Sequence, residues 1–100
     1  MKQVLLLLIA GALFPAIGHA ESLDEIYPAP WKIEANASIT TALKEQDVEG
    51  CSKYRYRVAR KSKSEFLVYC YRGGIAKSAY MVWPNIHKVL GPYQPDSSTL

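Results

Sequence analysis

The most constraining feature of this chain is the stretch 50–83. Three runs of strand-like residues succeed one another there, separated by short polar or glycine-rich connections, and they carry both cysteines. Residues 52–59, SKYRYRVA, alternate strictly: Tyr54, Tyr56 and Val58 fall on one face and Lys53, Arg55 and Arg57 on the other, which is the two-residue period of a strand. After the polar connection RKSKS (60–64), the run EFLVYCYR (65–72) is apolar on both faces, as a central strand is. Gly73-Gly74 suits the positive φ values of a tight hairpin turn, and SAYMVW (78–83) supplies a third strand. Trp83-Pro84-Asn85-Ile86 reads as a type I turn, and residues 88–90 are expected to add a short fourth strand that Gly91-Pro92 stops. The stretch therefore predicts an antiparallel meander of three to four strands.

Residues 1–20 predict the compartment. Lys2, the apolar run 4–14 and the small residue Ala20 reproduce the three regions of a signal peptide, with cleavage expected near Ala20. The apolar run is shorter than the ~20 residues that span a bilayer, so no stable membrane anchor is expected after cleavage. The expected location is periplasmic or secreted. The remaining 80 residues, 21–100, make one domain, and a domain that small buries only ~60 % of its unfolded surface. In an oxidising compartment Cys51 and Cys70 are expected to form one disulfide, worth ~3 kcal/mol on the chain-entropy account. Zinc requires four ligands and a redox pair sits close in sequence. Only His87 accompanies these two distant cysteines as a soft ligand beyond residue 20, so no metal or cofactor is expected.

Around the meander, residues 21–32 are expected to form an extended N-terminal arm. Ser22 and Glu25 have the spacing of a capping box, and Pro28 and Pro30 keep the residues beside them extended. Residues 33–46 carry a helical stripe at Ala35, Ile39, Ala42, Leu43 and Gln46, with Gly50 expected to close the helix. The domain spans 33–95, and 96–100 is expected as a disordered tail. The predicted fold is α+β, one amphipathic helix packed on a three- to four-stranded antiparallel β-meander with one disulfide.

Two registers compete for the first hairpin. Pairing Cys51 directly with Cys70 would set Arg55 opposite Phe66 and make Arg60-Lys61 the turn, which is poor turn chemistry. Pairing Tyr54 with Cys70 and Tyr56 with Val68 places Tyr54, Tyr56, Val58, Phe66, Val68, Cys70, Tyr80 and Val82 on one face under the helix. The second separates charge from core and is preferred. It requires the chain at Cys51 to curl back, because a disulfide tolerates Cα separations only to ~7 Å.

One helix covers one sheet face. The other then carries Lys53, Arg55 and Arg57 beside Leu67, Tyr69, Tyr71, Met81 and Trp83, residue types enriched in interface cores. Two readings of it stand: a partner-binding surface, or a face covered by the arm or the C-terminal segment. The expected function is a small exported module that binds another protein of the envelope or exterior, of the size and style of an inhibitor or immunity-type protein. The alternative is an anion-binding envelope factor, for glycolipid or nucleic acid, using the basic strand and loop 53–63. No catalytic constellation is present: His87 has no nucleophile or acid at a diagnostic spacing, and the chain is not read as an enzyme.

Overall fold

The computed structural model describes residues 21–100. The signal-peptide expectation for residues 1–20 lies outside the described residues.

Four antiparallel strands, β1 (Lys53–Val58), β2 (Phe66–Arg72), β3 (Ile75–Trp83) and β4 (Lys88–Tyr93), form one sheet in the order of the chain. The first hairpin takes the register that keeps charge out of the core: Tyr54 pairs with Cys70, Tyr56 with Val68 and Val58 with Phe66. The second turns through Gly73 and Gly74, at φ 61° and 79°, the left-handed pair that matches strand twist. The third turns through a 3-10 segment, Pro84–Ile86.

Two strands are longer than the sequence pattern predicts. β3 starts at Ile75 because the two-glycine turn brings Ile75 opposite Arg72 at once. β4 runs to Tyr93, past the Gly91-Pro92 pair expected to end it. β4 is an edge strand, so the missing amide can face outward rather than break a ladder, and a register shift in β3 between Ala79 and Met81 accommodates it.

The main helix, α2 (Ala37–Glu45), starts four residues later than the stripe predicts because Asn36 caps it, its side chain accepting from the Ile39 amide at 3.0 Å. Ile33 and Ala35 thereby leave the helix and stand exposed. At the other end Asp47, not Gly50, takes the left-handed position, at φ 56°. Val48 N donates to Leu43 O and Asp47 N to Lys44 O, which is a Schellman ending. Ile39, Ala42 and Leu43 pack on Tyr56, Phe66, Val68, Cys70, Tyr80 and Val82. Ile39, Val68 and Val82 are wholly buried, each worth roughly 1.5–3 kcal/mol.

Cys51 and Cys70 are bonded with a Cα separation of 4.7 Å, although Cys70 has Tyr54 as its strand partner. Gly50, at φ 73°, supplies the curl. A side chain there would strike the Arg72 guanidinium, whose Nη2 lies 2.6 Å from where its Cβ would be.

A second core lies on the opposite face. Tyr27, Ala59, Leu67, Tyr69 and Ala79 are buried together, with Leu23, Ile26, Trp31, Tyr71 and Met81 against them. The arm opens with α1 (Leu23–Ile26), held by the predicted capping box: Ser22 Oγ accepts from Glu25 N, and Glu25 Oε1 from Ser22 N. It then runs along β1, where Lys32 and Tyr56 exchange both backbone hydrogen bonds at 2.8 and 3.0 Å. Residues 96–100 are not a free tail. Asp96 caps a 3-10 turn, Ser97–Thr99, and Thr99 is buried on the sheet.

Candidate functional site

Three of the eight residues expected on the partner-binding surface are sealed beneath these segments. Arg57 is 5 % exposed, Leu67 4 % and Tyr69 0 %. Sheet alternation puts Arg57 on the second face, and there its guanidinium becomes a fastening point. Nη1 donates to Asp24 Oδ1 at 2.6 Å and to Tyr27 O at 3.2 Å, and Nη2 donates to Thr99 O at 3.2 Å. The Trp31 ring lies under the guanidinium at 4.4 Å and donates its own Nε1–H to Thr99 O at 2.8 Å. Tyr69 accepts from Asp96 N and shares a hydrogen with Thr99 Oγ1. Over its centre this face is therefore covered by the arm and the C-terminal segment: burying Leu67 and Tyr69 removes apolar surface from water, while three acceptors and a ring compensate the desolvated guanidinium.

Tyr27 closes the far side. Its hydroxyl donates to Glu65 Oε2, and burial, reinforced by the Glu65 hydrogen bond and charge, raises its pKa well above that of a free tyrosine. Glu65 is thus an acceptor within the fold. Asp96, whose side chain is exposed, is held below the usual carboxylate range by donation from the Ser98 hydroxyl and amide.

Two portions of the second face stay open. On the β3–β4 side, Met81 and Trp83 are half-buried while Leu90 and Tyr93 are exposed, and Lys88 Nζ lies 5.1 Å over the Trp83 ring. On the β1 side, a groove of about 690 Å³ runs between residues 33–35 and the end of the first hairpin, lined by Ile33, Lys53, Arg55, Tyr71, Arg72 and the Gly73-Gly74 turn among others. Lys53 pairs with Tyr71 across the strands, and the Arg55 guanidinium lies 4.6 Å over the Tyr71 ring. None of Lys53, Arg55 and Arg72 forms an ion pair among the described residues, whose three salt bridges are Arg57–Asp24, Arg60–Glu21 and His87–Glu45. Ile33, 71 % exposed, forms an apolar wall opposite.

The structure thus brings Lys53, Arg55 and Tyr71 together, leaves Met81 and Trp83 at the other margin, and removes Arg57, Leu67 and Tyr69 from the surface. Ile33 and Arg72 join the groove although the sequence pattern does not single them out. Ile33 is masked because the expected helix, 33–46, includes it. The signal for Arg72 is the glycine pair after it, which fixes where the hairpin ends.

His87 lies outside this region, exposed and in the left-handed conformation, with Nδ1 3.0 Å from Glu45 Oε1. Ser38, Thr41 and Ser64 line the same shallow groove, yet none hydrogen-bonds the imidazole. No group of three or more metal-ligating side chains occurs among the described residues.

No known protein family, no curated protein and no solved structure matches this chain.

Proposed function

We propose that this chain is a small exported binding module that recognises another protein through the groove beside β1. The observation that carries this reading is the pair Lys53 and Arg55, two cations with no ion-pair partner among the described residues, beside a half-buried Tyr71 and facing the exposed Ile33, with Arg72 lining the end of the groove. Arginine and tyrosine with a desolvated apolar neighbour are the groups that carry most interface energy. The Cys51–Cys70 disulfide is consistent with an oxidising compartment.

Photo-crosslinking in the exporting cell tests it. A crosslinking amino acid replacing Ile33 is expected to give a discrete protein adduct that one replacing Asn85, on the far turn, does not give, and Arg55→Glu is expected to abolish the adduct. Equal adducts from both positions, or adducts only with glycolipid or nucleic acid, would overturn the protein-binding reading; the latter would favour an anion-binding envelope factor.

A further inference from the structure

The hydrogen-bond phase of β1 says how the groove is filled. Tyr56 gives both its N–H and its C=O to Lys32, on the outer side of the sheet. In an antiparallel ladder this direction alternates residue by residue. Arg55 and Arg57 therefore bond inward to β2, while Tyr54, two residues before Tyr56 and paired with Cys70 without a shift in register, points its N–H and C=O outward like Tyr56. The arm stops supplying partners at Lys32, and the chain then crosses through residues 33–35 to the α2 cap, where the Tyr54 hydroxyl bonds the Asn36 backbone. The Tyr54 backbone has no hydrogen-bond partner among the described residues outside its own strand pairing. The groove opens at this point, and Ser52 to Arg55 form one of its walls.

We infer that the groove is a strand-addition site: an extended acidic segment of the partner protein continues the edge pairing that Lys32 begins, bonding the Tyr54 N–H and C=O. A strand laid there presents alternate side chains to the face carrying Lys53 and Arg55, so the charge pattern selects a segment with Asp or Glu at every second position. Charge complementarity supplies the choice between partners. The backbone bonds supply the extended geometry. This inference rests on the reading of the groove as a protein-binding surface.

The test uses the mature, disulfide-bonded chain, a short synthetic peptide alternating glutamate with threonine, the same peptide with alternate amides N-methylated, and a single-stranded oligonucleotide as a second anionic probe. In the free chain the Tyr54 amide is expected to exchange with solvent far faster than the Tyr56 amide. The peptide is expected to slow Tyr54 exchange at least about tenfold, with N-methylation or Arg55→Glu each weakening binding by about tenfold or more. Arg55→Gln serves as a milder variant if the charge reversal misfolds. Peptide binding that leaves Tyr54 exchange unchanged would overturn strand addition and leave the protein-binding reading standing. Failure of the peptide to bind while the oligonucleotide binds would overturn both, and failure of every probe to bind would overturn strand addition.

Discussion

The Arg57 guanidinium sits 4.4 Å over the Trp31 ring while Arg57 and Trp31 both donate to the same carbonyl oxygen, that of Thr99. One strand residue thereby fastens an N-terminal and a C-terminal segment to the sheet between them. Its Nε is buried without a partner, a cost the other contacts offset.

Arg57→Ala is expected to lose about 2–4 kcal/mol, because Tyr27 O loses a donor, Thr99 O loses one of two, and a cavity opens beside Trp31. Asp24→Asn should cost about 1 kcal/mol or less, since Asp24 is 62 % exposed and its ion pair is screened. Arg55→Ala, two residues away on the same face but exposed, should stay within about 0.5 kcal/mol. Urea denaturation of the three variants checks the ranking. A loss below about 1 kcal/mol for Arg57→Ala would remove its role as the fastening point.

The disulfide closes a loop between residues 19 apart in sequence, so a Cys51→Ser, Cys70→Ser double variant should lose roughly 3 kcal/mol. In a domain of this size that is a large share of the ~5–10 kcal/mol available. The midpoint of chemical denaturation measures it, and a thiol assay on unfolded, unreduced protein should find no free thiol.

Tyr27 predicts an alkaline limb. Its folded pKa is raised above the free value of ~10, so the neutral form is favoured in the fold. Its contribution is fully present below about pH 10. Above that the unfolded chain releases the proton while the folded chain retains it, and stability falls by about 1.4 kcal/mol per pH unit until the folded pKa is passed. Tyr27→Phe should flatten this limb relative to the parent while costing about 1–2 kcal/mol at neutral pH through the lost Glu65 bond. Identical slopes for the two proteins above pH ~10 would contradict the assignment.

Two backbone substitutions should move stability in opposite directions. Asp47 occupies the left-handed position that ends α2, at φ 56°, so Asp47→Gly is expected to gain up to about 1 kcal/mol. Gly91, at φ 137°, leaves a Cβ only 2.6 Å from the Tyr80 ring and 2.8 Å from Ala79 O. Gly91→Ala should therefore cost at least about 1–3 kcal/mol. Thermal melts of the pair provide the comparison.

The helix-face core was legible residue by residue, because alternation in β1 and β2 assigns Tyr54, Tyr56, Phe66, Val68 and Cys70 to one side and charge separation selects the register. The start of α2 was less so. The apolar stripe extends back to Ala35, and only the competing capping geometry of Asn36 shortens it. Arg57 was the largest departure: its pattern is that of a solvated strand residue, identical to Arg55. What distinguishes the two is supplied by Asp24, Tyr27 and Thr99, 33, 30 and 42 residues away in sequence, and no local periodicity encodes such meetings. The groove was half legible. Lys53, Arg55 and Tyr71 are set by alternation, but the open backbone at Tyr54 depends on where the arm leaves the edge.

The two cores also differ in what holds them shut. The helix-face core is closed by a capped helix and a disulfide that ties Cys70 to the entry of β1. The second is closed by two short flanking segments that meet over Arg57. Losing that one guanidinium would loosen both segments at once and uncover Leu67, Tyr69 and Met81, an apolar surface of the kind that drives self-association.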